Sequence, residues 1–427
     1  MSEYIITGGK RAEGEIEISG SKNASLPIIA ATILNGGTTT LYNVPDIHDT
    51  QMMFEILKKI GGKVNKKANK VIIDTSKINK YEIPEELMRQ MRSSVIFAGA
   101  LIGKYKEAVF SYPGGCDIGT RPIDLHLKSF EKLGINITKN YGNISCICDK
   151  IVPEKIHLDF PSVGATENII LATCLTKGTT TITNAAREPE IIDLQNFLNR
   201  MGAKIKGAGS NTIEIQGVEK LKDVSYNIMA DRIEAGTYLC LAAMTNGNIL
   251  LKNIDSTYVN PVINKLEEAG CNFNETKSSI EITAPKRLKA VDIKTMPYPG
   301  FPTDMQSIFG TALTIAKGTS VIVENIFENR YKYLQELARM GAKSTIEGKT
   351  AIIKGVRKLC GARVRATDLR GGAALVIAGA SAKGKTTVEN IEYILRGYEK
   401  FEQKLSKLNI DIIKTKNNVD KDKILTK

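Results

Sequence analysis

Residues 165–205 read ATENIILATCLTKGTTTITNAAREPEIIDLQNFLNRMGAKI, and the order of elements within them decides the fold. Ala165 to Thr176 is apolar at helical spacing and ends before Gly178. Gly178-Thr179-Thr180-Thr181-Ile182-Thr183 is β-branched and predicts a strand. Asn184 marks a turn, Glu190 to Met201 a second, amphipathic helix, and Gly202-Ala203-Lys204-Ile205 the next strand. The same order recurs through the chain. It is marked by Gly37-Thr38-Thr39-Thr40 with Gly61, by Gly247 with Gly270, by Gly318-Thr319 with Gly341, and by Gly384-Lys385-Thr386-Thr387 with Asn409. A further, irregular copy starts at Met91 to Gly103 and carries the insertion Ser111 to Arg121 between its helices. The copies are spaced by roughly 65 to 75 residues, longer than the units of solenoids, so each is a small α/β layer of βαβαββ type. Six units suggest two pseudo-symmetric halves of three.

The 427 residues exceed what one core supports, which implies at least two domains. With 42% hydrophobic and 25% charged residues the composition is that of a globular protein and excludes a mainly disordered chain. A formal net charge of +13 favours an anionic partner. A nucleic-acid-binding protein would share that charge, but Trp is absent and aromatic residues are only 6%, too few for base stacking along a groove. Seven scattered cysteines predict reduced thiols and a cytoplasmic protein. Met1 to Lys10 does not read as a signal peptide, and the apolar runs Val95 to Gly103 and Ala373 to Ala382 are too short to span a bilayer.

Tyr112-Pro113-Gly114-Gly115-Cys116-Asp117-Ile118-Gly119-Thr120-Arg121-Pro122 reads as a mobile surface loop. Its glycine-rich setting and Arg121 point to a Cys116 thiol of lowered pKa, able to act as acid or nucleophile. Cys174 and Cys240 sit on apolar helix faces and read as core. Cys146 and Cys148 share one face of a strand but lack the second pair of ligands that a zinc site needs. His48, His126 and His157 are far apart and read as surface or cap residues. Lys383-Gly384-Lys385-Thr386 mimics part of a P-loop, with Gly379 five positions before Gly384, but the motif would follow a helix instead of a strand. Lys22, Arg92, Arg121, Arg330, Arg370 and Arg396 stand at helix starts and loop ends, where guanidinium forks suit phosphate and carboxylate. Asp304 and Asp368 each open a first helix of a repeat, a position at which capping is the commonest role.

Ser19-Gly20-Ser21-Lys22-Asn23-Ala24, Pro113 to His126, Asn184-Ala185-Ala186-Arg187-Glu188-Pro189-Glu190, Phe301-Pro302-Thr303-Asp304-Met305-Gln306 and Arg396-Gly397-Tyr398-Glu399 together resemble the enolpyruvyl transferases of the EPSP synthase-like superfamily. Within it they are most similar to the branch acting on UDP-N-acetylglucosamine in peptidoglycan synthesis. The Pro-Gly-Gly-Cys loop speaks against the shikimate branch, and no nucleotide-accepting His supports the architecturally related enzymes of RNA 3′ ends. The resemblance implies a two-domain inverse α/β prism of six βαβαββ repeats, three per domain around a pseudo-threefold axis. It implies a domain of residues 21–229 with the mobile loop 112–121, and a discontinuous one of residues 1–20 plus 230–427 that ends in a polar tail, 414–427.

The implied reaction transfers the enolpyruvyl group of phosphoenolpyruvate to the 3-hydroxyl of the sugar nucleotide, without cofactor or metal, in a monomer that binds neither nucleic acid nor membrane. Carried over by position, Cys116 is the proton donor, the site of the phosphoenolpyruvate adduct and the thiol alkylated by fosfomycin, and Asp304 is the base. Lys22, Arg121 and Arg396 hold the phosphate, Arg330 and Arg370 the carboxylate, with Asn23 and Asp368 nearby. Lys22 and Arg396 count with Cys116 and Asp304 as catalytic. Arg92, Arg121, Pro122, Ile123, Asp124, Leu125, Ser162, Val163, Gly164, Asp304 and Ile326 match the positions that bind the nucleotide sugar. Two positions depart from the pattern: Phe160-Pro161 where some members carry a Lys before Ser-Val-Gly, and Leu395 where many carry Asp.

Overall fold

The computed structural model describes residues 2–67, 69–114, 118–119 and 123–416. They form two compact units: Met1–Ile18 with Arg232–Met296 and Phe301–Lys427, and Ser19–Asp231 with Pro297–Gly300.

Among the described residues each unit carries three small sheets, and their topology is one scheme repeated. A short first strand runs parallel to a second, which pairs antiparallel with a third, which pairs antiparallel with a fourth. For the stretch that opened the sequence reading, these are Lys155–His157, Thr179–Thr183, Thr212–Gln216 and Lys204–Lys206. Its unit repeats the scheme around Thr38–Tyr42. In the third sheet, around Glu107–Ser111, three strands remain, and the first is reduced to a parallel bridge between Glu82 and Val109. The other unit centres its sheets on Asn248–Lys252, Thr319–Val323 and Lys385–Glu389. There the N-terminus fills gaps in the scheme. Ser2–Thr7 lies between Lys385–Glu389 and Asp411–Lys416, and Glu13–Glu17 runs parallel to Asn248–Lys252.

The helices come in two kinds, and residue pattern separates them. Lys22–Ala31, Ile96–Tyr105, Val163–Thr173, Arg232–Met244, Gln306–Leu313 and Leu369–Ser381 are apolar on nearly every side and almost wholly buried. The second helix of each repeat, such as Pro189–Arg200, is amphipathic and keeps a solvated face. The strands alternate in the same way, with Thr180 and Ile182 buried and Thr179 exposed. Buried helices therefore fill each unit and the sheets wrap them, which is the inverse α/β prism.

The turn between second strand and outer helix also repeats. Asn43, Asn184, Asn253 and Asn390 all take φ between 55° and 61°, a conformation that Asn tolerates better than other side chains. Where buried helices meet closely, small residues permit it. A Cβ on Gly99 would lie 2.4 Å from Asn168 Oδ1 and 2.5 Å from the Asn168 carbonyl oxygen, and one on Gly103 would lie 2.4 Å from the Leu171 carbonyl oxygen. Contacts that advance together, 99 with 168 and 103 with 171, show these two helices running parallel. Their N-termini share one end of the unit.

Candidate active site

Helix starts carry the chemistry, because each leaves backbone N–H groups without intrahelical partners and a partial positive charge. In the unit built on Ser19–Asp231, Ser21 caps the helix Lys22–Ala31 by accepting from the Ala24 N–H at 3.2 Å. Lys22 and Asn23 thus occupy its first two positions. The Lys22 N–H donates to Asp231 Oδ2 at 3.1 Å, and its ammonium lies 3.0 Å from Asp49 Oδ2, whose side chain is 1% exposed. Arg92 opens the short 3-10 turn Arg92–Val95. Ser162 caps the helix Val163–Thr173 at the Ala165 N–H, which places Val163 and Gly164 in its first turn. Ile123 is buried directly before the helix Asp124–Lys132, so Asp124 and Leu125 begin that helix. Cys116, Arg121 and Pro122 lie outside the described residues.

His126 corrects the sequence reading of a surface or cap residue. It is buried, and Asn168 Nδ2 lies 2.7 Å from its Nδ1. Asn168 Oδ1 accepts from the Gly99 N–H at 2.8 Å, so its amide nitrogen faces the ring and Nδ1 is the acceptor. His48 and His157 are exposed as expected.

The other unit brings Asp304, Arg330 and Arg370 together. Asp304 lies in the 3-10 turn Thr303–Met305, whose N-cap position is Pro302: its Oδ1 is 2.6 Å from Arg330 Nη2 and its Oδ2 is 3.3 Å from Arg370 Nη2. Arg330 also donates to the Thr303 carbonyl. Both guanidinium groups are nearly buried while the Asp304 side chain is 30% exposed, so the pair forms a floor and the carboxylate an accessible rim. Asp368 does what its sequence setting suggests, capping the helix Leu369–Ser381 at the N–H groups of Arg370 and Gly371. Gly372 lets the neighbouring segment approach: a Cβ there would lie 2.8 Å from Ile394 and 2.9 Å from Ala366. Ile394 belongs to the 3-10 turn Ile391–Arg396, and a Cβ on Gly397 would lie 2.6 Å from Leu369, so the backbone next to Arg396 meets the start of the Arg370 helix.

Three supporting residues escaped the sequence reading. Asp49 pins Lys22, and Asp231 holds the backbone of the same residue. Glu324, 2% exposed, accepts from Thr295 Oγ1, Thr303 Oγ1 and the N–H groups of Ile326 and Phe327, which fixes the loop bearing Ile326 beside Asp304's own turn. Aligning the six helix starts would have flagged Asp231, whereas Asp49 and Glu324 reach their partners only through the fold. The cysteines read as core are core: burial pushes the Cys174 thiol up to about 12, and Cys240 is raised by the same cause. Lys385 lies in a strand that follows a helix, which removes the P-loop reading.

The family model of EPSP synthase (3-phosphoshikimate 1-carboxyvinyltransferase) matches residues 6–405. The chain is 54% identical over 415 residues to UDP-N-acetylglucosamine 1-carboxyvinyltransferase 2 of Caldanaerobacter subterraneus subsp. tengcongensis, covering 97% of this chain and 100% of that one. It is 46% identical over 418 residues to the UDP-N-acetylglucosamine 1-carboxyvinyltransferase of Thermodesulfovibrio yellowstonii, covering 97% and 100%. Among solved structures, the enolpyruvyl transferase NikO from Streptomyces tendae superposes with a TM-score of 0.88 at 24% identity, over 97% of this chain and 99% of that one. An EPSP synthase from Acinetobacter baumannii gives 0.75 at 19%, over 97% and 100%. At those identities the two structures speak for the fold.

Proposed function

Because the chain belongs to the EPSP synthase family, we propose that it transfers the enolpyruvyl group of phosphoenolpyruvate to the 3-hydroxyl of UDP-N-acetylglucosamine, releasing inorganic phosphate, in peptidoglycan precursor synthesis. The observation that carries this reading is 54% identity, across the whole length of the relative, to an enzyme named for that transfer.

The reaction is an addition followed by an elimination. A proton added at C3 of phosphoenolpyruvate leaves positive charge at C2, the sugar oxygen attacks there and loses its proton, and loss of phosphate together with a C3 proton restores the double bond. It needs an acid, a base and fixed charges against which phosphate can leave. The assignment gives the acid to Cys116 and the base to Asp304. Lys22, Arg121 and Arg396 take the phosphate, and Arg330 and Arg370 the carboxylate, with Asn23 and Asp368 beside them. Arg92, Arg121, Pro122, Ile123, Asp124, Leu125, Ser162, Val163, Gly164 and Ile326 take the nucleotide sugar. Support for these roles comes from the local geometry. Arg330 and Arg370 stand side by side as a bidentate anion floor, Asp304 is the partly exposed carboxylate above them, and Lys22 is held by a buried acid. No helix among the described residues is long and apolar enough to cross a membrane, and the proposal places a monomeric enzyme in the cytoplasm.

The test is to mix the protein with both substrates, follow phosphate release and identify the enolpyruvyl sugar nucleotide by mass spectrometry. Product that depends on both substrates supports the reading. Turnover with shikimate 3-phosphate instead would move the chain to the shikimate branch, and silence with both acceptors would sink enolpyruvyl transfer.

A further inference from the structure

Arg370 is gripped from a second side, by residues with no place in the assignment above. Its guanidinium carbon lies 5.3 Å from the centroid of the Tyr398 ring, and the side chain is 4% exposed. Tyr398 is itself 1% exposed, and its hydroxyl lies 2.8 Å from Thr237 Oγ1. Thr237 Oγ1 also lies 2.8 Å from the Ile233 carbonyl oxygen. A carbonyl only accepts, so the Thr237 proton is committed to it and Tyr398 donates to the Thr237 oxygen. The resulting chain, from Tyr398 through Thr237 to the backbone of the helix Arg232–Met244, has one direction and fixes the ring. Phe401 backs the ring at a centroid distance of 4.7 Å.

We propose that Tyr398, locked by Thr237, is a positioning residue that sets the plane of the Arg370 guanidinium for the carboxylate of phosphoenolpyruvate. The inference rests on the function proposed above. An aromatic face attracts a cation from above the ring, whereas the N–H donors of a guanidinium point outward in the guanidinium's own plane. This hold therefore steadies the group without consuming a donor. Asp304 engages one edge, and the ring decides how the rest of the fork is tilted. An aliphatic residue would fill the volume but leave a nearly buried cation with a weaker partner.

Tyr398→Leu, Tyr398→Phe and Thr237→Val in the full chain test this. With UDP-N-acetylglucosamine saturating, Tyr398→Leu raises KM for phosphoenolpyruvate by about 5- to 30-fold, and Tyr398→Phe and Thr237→Val by about 2- to 5-fold. The KM for the nucleotide sugar stays within about twofold in all three. Inhibition by inorganic phosphate, which presents no carboxylate, also stays near the wild-type value. Recovery from Leu to Phe separates the ring from the hydroxyl, and the near-isosteric Thr237→Val keeps the test available should Tyr398→Leu fold poorly. A wild-type KM for phosphoenolpyruvate in every variant overturns the proposal. So does a parallel rise in both KM values and in the phosphate constant that tracks lost thermal stability. Wild-type protein that makes no product defeats the underlying function; active wild-type protein with unresponsive variants defeats only the positioning role.

Discussion

Asp49 Oδ2 lies 3.0 Å from the Lys22 ammonium, and the acid has 1% of its side chain exposed against 14% for the lysine. A carboxylate so far from water is tolerated because of its cation, and the dependence runs both ways. The pair joins the first turn of the helix His48–Lys59 to the first residue of the helix Lys22–Ala31. A four-carbon side chain would otherwise sample many rotamers at the point where it is assigned to meet phosphate.

Asp49→Asn keeps the shape and removes the charge. The expected result is a rise of about 3- to 30-fold in KM for phosphoenolpyruvate, with a loss of roughly 1–3 kcal/mol in stability from the weakened buried contact. Steady-state kinetics and urea unfolding check both parts. Unchanged KM would show that Lys22 is aimed by its helix alone.

Asp304→Asn tests the proposed role of Asp304 as base. Asparagine can still accept from Arg330 through its one oxygen, while its amide nitrogen cannot accept from Arg370, and the side chain cannot take a proton from the sugar hydroxyl. Turnover should fall by about 10²- to 10⁴-fold while nucleotide-sugar affinity, read by calorimetry, changes little. Near-normal turnover would reduce Asp304 to an anchor for Arg330 and Arg370.

What was legible in the sequence follows the range of the interactions. The repeat could be read because its markers act locally: Asn184 stands in the left-handed region at φ 55° and Gly202 at φ 106°, and each ends an element through its own backbone. The caps Ser21, Ser162 and Asp368 are local for the same reason. For Asp304 the local setting offered only capping, because its partner Arg370 is 66 residues away. Tyr398 and Thr237 meet across 161 residues, and nothing in either neighbourhood announces the pairing. His126 looked polar within Asp124-Leu125-His126, and its partner Asn168 lies 42 residues away on another helix.

Gly99→Ala tests how the buried helices pack. The new methyl would meet Asn168 backbone and side chain at 2.4 to 2.5 Å, and backbone does not yield as a flexible side-chain tip does. A loss of about 1–3 kcal/mol or more is expected, seen as a lower urea midpoint. A midpoint equal to wild type would mean that the two helices can part freely.

Asp193 sets a pH dependence whose sign can be worked out. It accepts from the Tyr226 hydroxyl at 2.6 Å and from the Met229 N–H at 3.2 Å, tying the helix Pro189–Arg200 to the segment that follows the strand Val224–Asn227. Burial pushes its pKa up to about 6, with Glu190 adding to the rise and the two hydrogen bonds opposing it. The unfolded value is about 3.9. Below that value both states hold the proton and folding bears no penalty. As pH rises from about 4 to about 6 the unfolded chain releases the proton while the folded one retains it, so stability falls by roughly 3 kcal/mol across the window and then levels off. Glu167, raised well above its ordinary value by burial and by Glu190 and Glu188, acts in the same direction, so the wild-type profile alone does not isolate Asp193. Comparison with Asp193→Asn does. The variant should lose this part of the decline between pH 4 and 6.5 in urea unfolding, even though one backbone hydrogen bond is weakened at every pH. Parallel profiles for the two proteins would show that Asp193 is already ionised in the folded state throughout that range.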